Sequence, residues 1–145
     1  PDIFIDLVKL IYAKNKKLKV ILSGKRRNYV INQLEEAGIP YRYFEMVPLD
    51  VLNKLYNILN LYLVTSRVEG GPQAIFECAL TKTPILSTRV GVAPEVLHKD
   101  SIYKVGEFSK AKIDIEYAFD SAQKYTIPNG FDDFLNMFNG IKIES

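Results

Sequence analysis

The sequence predicts a doubly wound, Rossmann-like α/β domain, a parallel sheet with helices on both faces. Three observations carry this. Short strand-like segments alternate with longer segments of helical period along the chain, the pattern of repeated βαβ units. The strand segments are continuously apolar, as in Leu61-Tyr62-Leu63-Val64, which suits a sheet covered on both sides. Three of the four strand ends are small and polar, Ser23-Gly24, Thr65-Ser66 and Ser87-Thr88, the fourth being Glu45-Met46-Val47, and in such a sheet the ligand lies outside the carboxyl ends of the strands.

Taken in order, Asp2 to Asn15 carries Ile3, Phe4, Leu7, Val8, Leu10 and Ile11 at helical spacing, with Asp2 placed as an N-cap. Leu18 to Leu22 reads as a strand ended by Ser23-Gly24, and Arg27 to Ala37 as a helix stopped by Gly38 and Pro40. Tyr41 to Glu45 is strand-like. Asp50 to Leu59 has Val51, Leu52, Leu55, Ile58 and Leu59 on one helical stripe. After the Leu61–Val64 strand, Gln73 to Lys82 is a helix preceded by Gly70-Gly71-Pro72, and Pro84 to Leu86 is the next strand. A helical turn near Pro94 to Leu97 leads to a last strand, Ile102 to Val105. Ser109 to Tyr125 and Phe131 to Phe138 read as helices, joined by the linker-like Thr126–Gly130.

Composition bounds the function. The chain has 145 residues, 48% hydrophobic and 25% charged, which is ordinary for a globular domain and excludes disorder, a collagen repeat and a coiled coil. Nineteen basic against 17 acidic residues leave a net charge of +2, too mild to announce a nucleic-acid or membrane binder. One cysteine, Cys78, excludes an internal disulfide and points to a reducing, cytoplasmic setting. With His98 the only histidine, there is little material for a zinc site. The opening shows no signal-peptide pattern. It runs from Pro1 straight into a helix, so residues 1–145 are expected to be one domain of a longer protein.

Seven basic residues fall between Lys14 and Arg27. Lys14, Lys16, Lys17 and Lys19 precede the first strand, on the rim away from the ligand, and read as a solvated face. Lys25, Arg26 and Arg27 follow it at a helix start, where cations and helix dipole meet an anion together; ordinary surface charge is the competing reading. This topology separates the two groups, against a nucleic-acid patch.

The most informative stretch is Ser66 to Leu80. Gly70 and Gly71 let the backbone take conformations closed to other residues and let a ligand approach. Pro72 suits a first helical turn, and the amides after it are free donors at the positive end of the dipole. The helix reads as apolar all round except at Glu77. A carboxylate there needs partners, and two readings stay open: protein groups tie it, or a pair of ribose hydroxyls does. Cys78 beside it reads as a packed thiol.

From Glu69-Gly70-Gly71-Pro72-Gln73-Ala74-Ile75-Phe76-Glu77 through Thr83-Pro84-Ile85-Leu86-Ser87-Thr88 to Gly91-Val92-Ala93-Pro94-Glu95, the chain resembles the C-terminal, donor-binding half of a GT-B glycosyltransferase, most like the retaining family 4. Seven residues separate the two glutamates, as in that family, and the likeness extends from the start to about Val105. The resemblance implies a metal-independent hexosyl transfer from a nucleoside-diphosphate sugar, with no other cofactor. It implies that Glu77 holds the ribose and that Glu69 faces the transferred sugar as the catalytic position. Gly70, Gly71, Pro72, Gln73, Lys25, Gly91 and Glu95 would meet sugar or diphosphate; Gly24, Met46 and Val47 would lie near the base. The acceptor would sit mainly on an N-terminal domain absent from this chain, which alone would be inactive; the full-length enzyme is left room for peripheral membrane association. The family carries an Arg and a Lys in a segment before the first helix; that segment and its strand are expected upstream of Pro1, the family's glycine-rich turn after the Leu18 strand is reduced here to Ser23-Gly24-Lys25, and the family often has a second glycine where this chain has Val92. Two other readings remain: a non-catalytic nucleotide-binding module of the same fold, and a sugar-nucleotide epimerase. An upstream basic pair separates transferase from module.

Overall fold

The computed structural model describes residues 1–140; residues 141–145 of the expected domain lie outside the described residues. The chain runs α1 (Asp2–Lys14), β1 (Val20–Ser23), α2 (Asn28–Glu36), β2 (Tyr41–Phe44), α3 (Leu49–Ile58), β3 (Tyr62–Val64), α4 (Gln73–Leu80), β4 (Ile85–Ser87), α5 (Ala93–Val96), α6 (Ile115–Gln123) and α7 (Asn129–Asn139). Single 3₁₀ turns at Lys99–Ser101 and Phe108–Lys110 lie between α5 and α6. The alternation read from the sequence is therefore present, with every named strand in a parallel ladder.

The sheet is divided. β1 pairs with β2 from Val20↔Tyr41 to Ser23↔Phe44, and β3 pairs with β4 from Tyr62↔Ile85 to Val64↔Ser87. No ladder joins the two pairs among the described residues. Residues of β1 and of β3 instead line one cavity of about 1400 Å³. The expected strand at Ile102 to Val105 is reduced to one bridge, Ser87↔Ile102.

Helix α1 ties the halves together. Its Ile5 and Val8 pack with Val20, Leu22, Val30 and Leu34 over the β1–β2 pair. Its Ile3 and Leu7 pack with Leu86 and Tyr103 over the β3–β4 pair. A third cluster on β3 and β4 joins Tyr56, Val64, Ile75, Cys78, Ile85 and Val96 with Ala118 and Ala122 of α6.

Several local expectations are corrected. Asp2 is not an N-cap; Pro1 holds that position, and the Asp2 carboxylate takes Arg67 instead, 2.6 Å away. Pro72 stands at the N-cap of α4, one step before the first turn. The long helix expected over 109–125 is broken, because Asp114 caps α6 by accepting from the Tyr117 amide at 3.0 Å. Buried Ser101 fixes that break, donating to the Lys112 carbonyl and accepting from the Asp114 amide. Helix α4 is not buried all round: Ile75, Cys78 and Ala79 face the core, while Gln73 and Leu80 are exposed.

Candidate functional site

The carboxyl ends of β3 and β4 are tied side chain to backbone. Thr88 Oγ1 donates to the Ser66 carbonyl at 2.6 Å, and the Ser66 hydroxyl donates to Glu69 Oε1. The loop that follows β4 then presses against the loop that follows β3. Gly91 has φ +45°, and a Cβ there would meet the Gly70 carbonyl oxygen and Pro72 Cδ at 2.9 Å and the Glu69 carbonyl oxygen at 3.1 Å. Only a residue without a side chain allows that approach. The requirement expected at Gly70 and Gly71 therefore falls on Gly91. Neither Gly70 nor Gly71 has positive φ, a Cβ on Gly70 would meet open space, and one on Gly71 would touch Val92 at an ordinary 3.7 Å. What the pair contributes is exposed, low-profile backbone just ahead of α4.

Glu77 is half-buried on α4, and its Oε2 accepts a 2.7 Å hydrogen bond from the Tyr56 hydroxyl. Oε1 has no partner among the described residues. Tyr56 is buried, its ring stands edge-on to Tyr62, and its carbonyl accepts from Thr83 Oγ1. Burial, then the bond to Glu77, pushes the Tyr56 phenol far above its usual range, so it stays a donor. Both open readings of Glu77 are thus half met: protein holds one oxygen and leaves the other. Tyr56 as that partner was not singled out from the sequence, where it continues the apolar stripe of α3. Cys78 beside Glu77 is fully buried, and burial raises its thiol far above the thiolate range.

At β1, Gly24 has φ +90° and its amide donates to the Phe44 carbonyl. Tyr43 Oη donates to the Gly24 carbonyl, and Arg27 Nε donates to that of Ser23. Arg27 thus fastens the turn, while Lys25 and Arg26 stay exposed. Met46 is 72% exposed and Val47 half-buried. Gly24, Ser66, Glu69 and Pro72 share the lining of the large cavity. Lys25, Met46, Val47, Glu77, Gly91 and Glu95 do not line it. Gln73 borders a separate hollow of about 340 Å³ between α4 and α6. Exposed Glu95 accepts from the Tyr125 hydroxyl at 3.2 Å.

The family profile for glycosyl transferases, group 1, matches residues 1–123. The chain belongs to the group 1 glycosyl transferases. No curated protein matches it significantly. Among solved structures, the group 1 domain is similar to a chain of the GtfA/B complex, with a TM-score of 0.70 and 14% identity over 95% of this chain. It is similar also to a mutant of TarM from S. aureus, crystallised with fondaparinux, α-GlcNAc-glycerol and UDP, with a TM-score of 0.71 and 16% identity over 96% of this chain. Both likenesses are of fold. This chain spans 32% of each of those chains, about a third of their length. A transferase domain of α/β fold is thereby established, as the two-glutamate motif and its flanking elements led one to expect.

Proposed function

We propose that this transferase domain holds a nucleoside-diphosphate sugar for metal-independent, retaining transfer of a hexosyl group. The observation that carries the reading is Glu77: a half-buried carboxylate, steadied by Tyr56 on one oxygen, with the other left over. A vicinal diol suits such a group, because a second donor can bond the remaining oxygen of a carboxylate already held in place. Further support comes from the loop ahead of α4. There the Gly91 contact fixes the backbone of Glu69–Pro72, and the amides of Gln73 and Ala74, ahead of the Ile75 amide that donates to the Pro72 carbonyl at 3.0 Å, have no acceptor within the helix. Fixed donors at a helix N-terminus stabilise the negative charge that a leaving diphosphate gains. In this reading Glu69 faces the transferred sugar. The backbone of Gly70, Gly71, Pro72 and Gln73, together with Lys25, Gly91 and Glu95, surrounds sugar and diphosphate; Gly24, Met46 and Val47 flank the base. One of the similar structures was crystallised with UDP, which makes that nucleotide the first probe. The acceptor, in this reading, is held mainly by another domain of a longer cytoplasmic enzyme.

The test is calorimetric titration with UDP, GDP and ADP, beside the 2′-deoxy form of whichever binds. Replacing Glu77 by Ala is expected to weaken binding by about 1–3 kcal/mol, as for loss of a charged hydrogen-bonding partner, and to abolish the preference for ribose. A folded Glu77→Ala protein with unchanged affinity and preference would remove the ribose role.

A further inference from the structure

We propose that Ser66 is a positioning residue for the Glu69 carboxylate: its hydroxyl fixes where the carboxylate points and leaves its charge intact for the transferred sugar. The inference rests on the reading that Glu69 faces that sugar, and it adds the means by which a loop side chain is kept in place.

The surroundings of Glu69 give it little else to hold. Residues 67–71 are all exposed, and Val68 beside it is 89% exposed. Glutamate is among the side chains with the most rotamer freedom to lose, so on an exposed loop it ordinarily samples several directions. Here Oε1 accepts a hydrogen bond from the Ser66 hydroxyl. The other oxygen, Oε2, has no partner among the described residues.

The donor is itself braced. Ser66 is half-buried, and its carbonyl accepts from Thr88 Oγ1 at 2.6 Å. Thr88 is buried just past β4, and its amide donates to the Val64 carbonyl at 3.1 Å. The Tyr103 hydroxyl donates to the same carbonyl at 2.9 Å. Glu69 is held from the β4 side as well, since its carbonyl oxygen lies where a Cβ on Gly91 would meet it at 3.1 Å. With the backbone fixed at both residues, the hydrogen bond between their side chains can select one rotamer. A group held in advance need not be ordered while the reaction proceeds.

The nature of the donor adds to this. Arg67 stands between Ser66 and Glu69 in the sequence, yet its guanidinium binds Asp2 at 2.6 Å. No ion pair reaches Glu69 among the described residues. A cation would orient the carboxylate and cancel its charge; a hydroxyl orients it and leaves the charge. That difference matters beside a sugar, because cleavage at an anomeric carbon builds positive charge there. The same device recurs at the second glutamate of the motif. Glu77 Oε2 accepts from the Tyr56 hydroxyl at 2.7 Å, and Oε1 has no partner among the described residues.

The test compares the parent protein with Ser66→Ala and with Ser66→Thr, which keeps a hydroxyl. The first readout needs no nucleotide. Three-bond couplings from Glu69 Cγ to its backbone nitrogen and carbonyl carbon report χ1. We expect a single rotamer in the parent and in Ser66→Thr, and averaged couplings in Ser66→Ala. Averaging in the parent, or a single rotamer in Ser66→Ala, would overturn the proposal. The second readout is affinity for UDP-glucose against UDP, and for GDP-mannose against GDP, which isolates the sugar. Ser66→Ala is expected to weaken the sugar nucleotide by about three- to tenfold, as for one lost hydrogen bond. The plain nucleotide should change by less than about twofold, and Ser66→Thr should restore the difference. Equal effects on both, or none on either, would mean that Ser66 only shapes the loop and would overturn the proposal too. If the parent binds no nucleotide, the donor-binding reading fails by itself, and the couplings still decide whether Ser66 holds Glu69.

Discussion

The β1–β2 and β3–β4 pairs are both short parallel ladders flanked by helices, but their rims are held differently. At β1 the turn is fastened by one long flexible side chain, Arg27, and by Tyr43, with Lys25 and Arg26 left in solvent. At β3 and β4 two loops are fastened to each other, by Thr88 on Ser66 and by backbone packed against Gly91. Cationic side chains can follow a ligand of varied shape. Interlocked backbone cannot, and so it suits the part of a site where donors must already be in place. The first half thus ends in solvent-exposed charge and the second in interlocked backbone.

The comparison can be broken most forcefully in the cores. Leu34 and Ile75 are each fully buried, one in each half. Truncation of either to Ala is expected to cost about 2–5 kcal/mol. Because α1 packs on both halves, calorimetry should show one lowered transition in each case; two separate transitions would mean that the halves fold independently. Next in size, Gly91→Ala forces a Cβ into backbone at positive φ and is expected to cost roughly 1–3 kcal/mol. Gly71→Ala should stay within about 0.5 kcal/mol of the parent, since its Cβ has room. Equal effects at the two glycines would dissolve the claim of interlocked loops.

Alkaline titration sharpens the contrast further. Burial pushes the phenols of Tyr62 and Tyr103, both in the second half, up to about 12. Unfolded tyrosine releases its proton near ~10, so the folded state keeps protons that the unfolded state loses. Their stabilising contribution is whole below that pH and is lost as pH climbs towards 12. Absorbance at 295 nm should show these rings ionising only as the fold gives way. Smallest is the exposed Arg67–Asp2 pair. Arg67 holds the Asp2 carboxyl below its ordinary value, so its contribution is present above the usual aspartate range and fades as pH falls through and below it. Asp2→Asn should flatten that part of the acid-stability profile and leave the rest unchanged.

Much of this was legible in the residues. Apolar stripes placed the helices, and runs such as Leu61–Val64 placed β3 and its polar end. Glu77 stood out as a charge in an apolar helix, and Glu69-Gly70-Gly71-Pro72 marked the loop before it. What escaped was relational. Tyr56 looks like one more stripe residue until α3 and α4 are packed together. Gly91 looks like any loop glycine until its neighbour is another loop. The division of the sheet is invisible because an apolar pentapeptide says that it will be covered, not which strand will lie beside it. Asp2 has the right chemistry for a cap and is taken by Arg67, a partner 65 residues away.

Helix α7 presents Phe131, Phe134, Leu135 and Phe138 about half exposed, with Phe134 and Phe138 rings 4.7 Å apart. Such an oily ridge is costly to keep wet. The purified domain should cling to phenyl resin and plastic, come off with mild detergent, and cloud on warming well before its interior loosens.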